Sequence, residues 1–280
     1  MWPFKSHPTV PVIRFHGPIG MATPLRPGLS SAMLAGPIER AFTMSKLPAV
    51  AIIVNSPGGS PVQSSLIFKR IRQLAKENKK KVYTFCEDVA ASGGYYLAVA
   101  GDEIYADASS IVGSIGVIAA GFGFDKAIEK VGIERRVYTA GFNKSTLDPF
   151  KPEKSEDIER IKAIQKDIHD TFIGVVKDRR AGKLTTVDSE LFSGAFWSGV
   201  QALDLGLIDG VSDVRTKMRE LYGDKVRLKL VPVGSGGLLS RLRRSPDFIG
   251  AAEMATTRIS LGDDLLSTLE TRSMWSRFGL

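Results

Sequence analysis

The stretch that decides the fold class is VAIIVNSPGGSP at residues 50–61. Its first five residues are apolar and mostly β-branched, which is typical of a strand buried on both faces of a sheet. The segment 55–59, rich in proline and glycine, is a strong turn signal. Ser60 then suits the N-cap of a helix, Pro61 suits its first position, and Gln63 completes a capping box with Ser60. This order of strand, tight turn and helix predicts an α/β unit.

The same alternation continues along the chain. Apolar patterns predict further strands over 82–86, 103–106, 135–139 and 226–231, and helices over 92–100, 124–131, 155–180, 188–191, 200–205 and 213–222. Strands that alternate with helices predict α/β architecture, in which helices cover the sheet. We divide the chain into a domain at 1–231, which starts with an irregular segment at 1–20, and a C-terminal tail or docking arm at 232–280, where periodicity weakens.

Composition excludes several classes of protein. The chain has 280 residues, 43% of them hydrophobic, and a net charge of +8. Its positive charges are dispersed and no nucleic-acid-binding motif accompanies them, so a nucleic-acid partner is not expected. The sequence contains neither a transmembrane stretch nor a convincing signal peptide, which predicts a cytoplasmic location. Cys86 is the single cysteine, so an intrachain disulfide and a cysteine-rich zinc site are excluded.

The histidine content argues against two common kinds of hydrolase site. The three histidines are His7, His16 and His169. The first two lie near the N-terminus, and His169 is predicted toward the polar side of a long helix. A Ser-His-Asp triad and a multi-histidine metal site are therefore not expected. The sequence predicts no metal and no other cofactor.

Two glycine-rich turns are the remaining candidates for chemistry. They are SPGGS at 56–60 and AASGG at 90–94, and each is predicted between a strand and a helix. Glycine lets backbone N–H groups approach a ligand closely, so the two turns can together hold an oxyanion. Ser92 would then be the nucleophile. The alternatives stay open, because glycine pairs are common connectors and a serine before a helix is usually an N-cap.

A nucleophilic serine needs a base, and a lysine can serve where burial keeps its amine neutral. Lys144 is the best-placed candidate, because it lies in a glycine-containing loop, AGFNKS at 140–145, after a predicted strand. Most lysines are solvated and charged, so the pattern alone does not assign this role. Cys86 is a poor alternative nucleophile, because it is predicted inside a buried strand without a partner histidine.

Four motifs together resemble the signal peptide peptidase A (protease IV) family of serine peptidases. They are NSPGG at 55–59, AASGGYY at 90–96, GSIGV at 113–117 and GFNK at 141–144. Their order and spacing also match, and the resemblance extends from about residue 10 to residue 230. Any one of these motifs alone is weak, whereas the combination is specific.

The resemblance implies a role for each matching position. Ser92 corresponds to the nucleophile and Lys144 to the general base. The backbone N–H groups of Gly59 and Gly93 correspond to the oxyanion hole, and Ser114 corresponds to the serine that orients the lysine amine. The resemblance also implies the Clp protease/crotonase-like fold of repeated ββα units. Single-domain relatives form a homo-oligomeric ring or dome in which the lysine completes a neighbouring subunit's site.

The resulting expectation is a serine endopeptidase with a Ser-Lys dyad. Its expected substrates are small or unfolded peptides, with signal-peptide remnants among the candidates. A small or apolar residue before the scissile bond is expected from the family alone. Two alternatives remain, namely an acyl-CoA enzyme on a crotonase scaffold and a non-catalytic scaffold protein.

The family pattern also differs from this sequence in one respect. Many relatives carry an N-terminal membrane anchor or an export signal, and we find neither here, so a cytoplasmic peptidase is expected. Basic and apolar residues near the two ends predict a weak contact with a membrane surface. These residues are Trp2, Phe4, Lys5, Arg241, Arg243 and Arg244.

Overall fold

A sheet of eight strands forms the centre of the computed structural model, which describes residues 7–20, 28–233 and 261–280. The strands are β1 Thr9–His16, β2 Ala49–Ser56, β3 Lys81–Ala91, β4 Glu103–Ala106, β5 Ile111–Gly113, β6 Phe196–Ser198, β7 Gly210–Val211 and β8 Arg227–Val231. The described helices are α1 Ser31–Thr43, α2 Pro61–Glu77, α3 Gly93–Ala98, α4 Asp125–Lys130, α5 Ser155–Arg179, α6 Asp188–Leu191, α7 Gly199–Asp204, α8 Val214–Tyr222 and α9 Leu261–Ser276. The α/β class predicted from the sequence is confirmed.

The order of strands places the end of β3 in the middle of the sheet. The sheet runs β6-β5-β3-β2-β1-β8, and outside this path β4 pairs with β3 and β7 pairs with β4. Of the pairings between described strands, all are parallel except that of β5 with β6. The register of β2 with β3 shifts between the Val54–Cys86 pair and the Ser56–Ala90 pair, because β3 carries extra residues there. This irregularity lets the earlier part of β3 pair with β4 and its last residues pair with β5.

Helix α2 begins as the sequence predicts, with one difference. Ser60 is its N-cap and accepts a hydrogen bond from the Gln63 N–H at 3.4 Å. The second half of the predicted capping box does not form, because the Gln63 side chain instead accepts from the Ser31 N–H at 2.8 Å. Gln63 therefore connects the start of α2 to the start of α1, a tertiary contact that the local pattern does not contain.

The N-terminal segment 1–20 is not irregular throughout, and that prediction is corrected. Thr9–His16 forms β1, which pairs with β2 on one side and with β8 on the other. Pro11 is compatible with the strand, because the pairing of β1 with β2 begins only at the next residue, Val12. The strand predicted at 135–139 is not formed, because no described strand lies beside it to supply hydrogen-bond partners.

Apolar side chains cover both faces of the sheet. On one face α1, α2, α3 and α5 pack against the sheet through a large cluster that includes Ile52 and Ile67. On the other face Met218 of α8 joins a second cluster. A smaller cluster joins Val89, near the end of β3, to Phe278, just beyond α9. The last described residues of the chain are therefore docked close to the end of β3.

One long segment lies outside these layers. None of residues 118–154 is buried, and we call this segment the exposed arm. It carries large apolar side chains, including Phe122, Tyr138 and Phe142. Helix α5 also exposes an apolar side chain, that of Ile164. An apolar surface of this extent is typical of an interaction site.

Some predictions concern residues that the structure does not describe. The terminal residues predicted to contact a membrane surface all lie outside the described residues. Among the described helices, none combines the length and the apolar character needed to cross a bilayer. The division of the chain between residues 231 and 232 stays a prediction.

Candidate active site

Ser92 occupies the sharp turn that joins β3 to α3. Its backbone is in the left-handed region, with φ +52° and ψ −121°, which is uncommon for a residue other than glycine. The Ser92 N–H donates a hydrogen bond to the Gly113 carbonyl at 2.8 Å, which secures this turn to the end of β5. The hydroxyl makes no capping hydrogen bond to α3, and the residue is half-buried. The side chain is therefore free for another role.

The two glycine-rich turns meet at Ser92. A Cβ added at Gly58 would lie 2.8 Å from the Ser92 Cβ and 2.9 Å from the Gly93 nitrogen. A Cβ added at Gly93 would lie 3.3 Å from the Gly59 nitrogen. Only glycine permits this approach at both positions. Among the described residues, neither the Gly59 N–H nor the Gly93 N–H donates a hydrogen bond, so both donors remain available to a ligand.

Ser114 lies beside this turn at the end of the neighbouring strand. Ala91 of β3 is in register with Gly113 of β5, so Ser92 and Ser114 are the next residues of two adjacent parallel strands. Ser114 is buried, has φ +52°, and donates its N–H to the Ala195 carbonyl at 2.7 Å. Its hydroxyl forms no hydrogen bond within the described part of the chain. The structure thus places three of the predicted elements, Ser92, the glycine turns and Ser114, around one point.

A largely apolar cavity of about 280 Å³ opens at Ser92. Residues of α2 and α5 line it together with Ser92 and Gly93. The apolar lining comes mainly from Pro61, Val62, Leu66, Tyr96, Val117, Ile168 and Phe172. A few polar groups in an otherwise apolar cleft are typical of a site that binds an organic ligand.

Ser114 lies beside the Ser92 turn but does not line the cavity, and neither does Lys144. Lys144 lies in the exposed arm and is itself exposed. Its N–H donates to the Gly141 carbonyl at 3.2 Å in a local turn. The Lys144 ammonium has no hydrogen-bond or ion-pair partner among the described residues.

Sequence reasoning missed two residues near the cavity. His169 is half-buried, and its Nε2 donates to the Ile115 carbonyl at 3.1 Å, so it holds the segment just after Ser114. Its spacing of three from Phe172 could have placed it on the inward face of α5. Lys69 lines the cavity from α2, and its spacing of eight from Pro61 places both residues on one helix face.

Cys86 and metal-binding groups are the other candidates for chemistry. Cys86 is buried in β3, as predicted, and burial raises the pKa of its thiol to about 12. A thiol with that pKa is protonated near neutral pH and is a poor nucleophile. Among the described residues, no group of three histidine, cysteine, aspartate or glutamate side chains is arranged to hold a metal ion.

A strained serine on a strand-to-helix turn, with free N–H groups beside it, is the arrangement of a serine hydrolase. Residues 74–226 match the sequence family described as peptidase family S49. The chain belongs to this family, and the resemblance to signal peptide peptidase A and protease IV is confirmed.

Individual relatives carry different names. The chain is 57% identical over 272 residues to a protein named Na(+)/H(+) antiporter NhaA from Brucella abortus. The matched region covers 97% of this chain but only 37% of that relative. It is 30% identical over 239 residues to a putative protease from Synechocystis, covering 82% of each protein. It is 33% identical over 176 residues to a putative signal peptide peptidase SppA from Enterococcus faecium, covering 63% of this chain and 51% of that relative.

Proposed function

We propose that the protein is a serine endopeptidase with a Ser-Lys dyad formed by Ser92 and Lys144. The observation that carries this proposal is the strained, half-buried Ser92 between the free N–H groups of Gly59 and Gly93. Membership of peptidase family S49 supports peptide bonds as the substrate. Ser114, whose hydroxyl is also free, is the group that orients the Lys144 amine.

The reaction follows from these positions. The Ser92 Oγ–H bond breaks as Oγ attacks the peptide carbonyl carbon, and the proton passes to the neutral Lys144 amine. The Gly59 and Gly93 N–H groups stabilise the negative oxygen of the tetrahedral intermediate, and one such donor contributes about 10²–10³ in rate. The C–N bond then breaks as Lys144 returns the proton to the leaving amine. A water molecule, deprotonated by the same lysine, then attacks the acyl carbon, and the bond from that carbon to the Ser92 Oγ breaks as Lys144 returns the proton to Oγ.

A second copy of the chain supplies Lys144 in this proposal. Within one chain Lys144 is exposed and does not line the cavity. The exposed arm that carries it also presents Phe142 at 99% and Tyr138 at 92% exposure. Association with a neighbour would cover these side chains and remove the Lys144 amine from water, which favours the uncharged amine. Homo-oligomerisation as a ring or dome follows from repeating the same contact.

The proposal extends to fold family and substrate. The parallel strands β2, β3 and β5, joined by helices on one face, are compatible with a crotonase-like peptidase domain at 1–231, followed by a tail at 232–280. The apolar cavity suits an extended or unfolded peptide with small or apolar residues next to the scissile bond. Signal-peptide remnants have this character and are candidate substrates.

Mixing two inactive variants tests the nucleophile, the base and the subunit arrangement together. Ser92→Ala and Lys144→Ala should each abolish cleavage of a fluorogenic peptide, while the control variant Lys126→Ala, from the same arm, should retain it. If each site takes its serine and its lysine from different chains, an equal mixture reassembled together should restore about a quarter of the sites.

Each outcome has a distinct meaning. Wild-type activity in Ser92→Ala would refute the nucleophile, and activity in Lys144→Ala would refute the base. No recovery in the mixture, with native mass spectrometry showing mixed oligomers, would refute the contribution from a second chain. A circular dichroism spectrum matching that of the unaltered protein is the check that each variant is folded.

A further inference from the structure

Lys69 is the one charged group among the described residues that line the cavity beside Ser92. The rest of the lining is apolar or uncharged, and it includes no carboxylate. The Lys69 ammonium has no ion-pair partner in the described part of the chain. A cation without a partner beside an apolar cleft is available to a ligand of opposite charge.

The position of Lys69 relative to Ser92 follows from helix geometry. Pro61, Ser65 and Lys69 are spaced by four residues, so they lie along one face of α2, and all three line the cavity. Pro61 lies two residues from Gly59, whose nitrogen would be 3.3 Å from a Cβ added at Gly93, the residue after Ser92. Lys69 is eight residues further along, which is about 12 Å at the rise of an α-helix. An extended peptide covers this distance in about four residues.

We propose that Lys69 makes this site selective for peptides that carry a carboxylate within about four residues of the scissile bond. The inference rests on the proposed peptidase function and adds a substrate preference to it. The apolar lining would hold the residues next to the scissile bond, and the Lys69 ammonium would pair with the carboxylate. Two sources have this chemistry, namely an aspartate or glutamate side chain and the free C-terminus of a peptide.

The test is a peptide series cleaved by the unaltered protein and by Lys69→Glu. One arm moves a single glutamate, or glutamine as its neutral counterpart, through four positions on each side of the scissile bond. The other arm compares a free C-terminal carboxylate with a C-terminal amide. Because exposed ion pairs are weak, we expect kcat/KM to favour the best carboxylate peptide by about two- to fivefold, through KM, and to decline with added salt.

The variant and its control distinguish a direct contact between Lys69 and the peptide from an effect of the protein's net charge. Lys69→Glu should abolish or reverse the preference for the carboxylate peptide. Lys76→Glu makes the same charge change on an exposed part of α2 that does not line the cavity, so it should leave the preference intact. An unchanged preference in Lys69→Glu, equal effects of both variants, or no preference in the unaltered protein would each overturn the inference.

A binding measurement keeps this inference distinct from the proposed function. Ser92→Ala, with and without Lys69→Glu, can be titrated with the same fluorescent peptides and followed by anisotropy. If no peptide is cleaved, the proposed function fails, but a carboxylate preference in binding that depends on Lys69 would still support the substrate preference. Equal binding of the carboxylate and neutral peptides would refute that preference directly.

Discussion

The unusual backbone of Ser92 predicts that this residue reduces the stability of the fold. Residues other than glycine held in such conformations cost about 1–3 kcal/mol each. Ser92 has φ +52° and ψ −121°, and its Cβ lies close to the chain at Gly58. Ser92→Gly removes the Cβ that causes the strain, whereas Ser92→Ala retains it. Glycine also increases the entropy of the unfolded chain, which offsets about 0.4–1 kcal/mol of the gain.

The expected net result is that Ser92→Gly is about 1 kcal/mol more stable to unfolding than Ser92→Ala. Urea denaturation followed by circular dichroism, at one protein concentration, measures this difference. Ser65, in the interior of α2, supplies the control, because there glycine should be less stable than alanine by about 0.5–1 kcal/mol. If Ser92→Gly is no more stable than Ser92→Ala, or if both positions show the same order, the strain at Ser92 is not real.

Three other predictions concern stability and reactivity. Asp209→Ala should lower the free energy of unfolding by about 3–5 kcal/mol, because the buried Arg180, which lies 2.7 Å from the Asp209 carboxylate, would lose its ion-pair partner. The control Asp188→Ala removes an exposed ion pair and should cost less than about 1 kcal/mol. Burial raises the pKa of Asp209, but hydrogen bonds from Arg180 and Lys183 outweigh the effect of burial and bring the pKa below its ordinary 3.8. The ionised Asp209 therefore stabilises the fold above pH 3.8, and this contribution is lost on acidification. Urea titrations at several pH values measure the loss. Cys86, with a thiol pKa of about 12, should react with iodoacetamide at neutral pH only after unfolding, and labelling of the native protein detected by mass spectrometry would contradict its burial. Phe278→Ala should weaken the docking of the chain end by about 1.5–3 kcal/mol, seen as faster hydrogen exchange in α9, and unchanged exchange would show that this contact does not hold the helix.

Local patterns in the sequence were sufficient for the elements next to the candidate site. The β-branched run before residue 55 forms β2, and Ser60 and Pro61 start α2 where the capping pattern places them. The serine of the second glycine turn does lie between a strand and a helix. These elements are predictable because turn and cap preferences act over a few residues and do not depend on distant parts of the chain.

Contacts between residues distant in the sequence depend on how the whole chain packs. The strand β1 is not predicted because Pro11, and Pro8 just before the strand, are unfavourable locally, and it forms because β2 and β8 supply partners on both sides. The N–H groups of Gly59 and Gly93 converge because parallel strands end at the same edge of the sheet, which no short window of sequence contains. Lys69 and His169 reach the site by the packing of α2 and α5, since helix spacing shows which residues share a face but not what that face contacts. Local sequence patterns are therefore enough to define the strand–turn–helix units and their candidate residues. Which of those residues form a site depends on how the sheet and its helices pack, because contacts between distant segments depend on the whole fold.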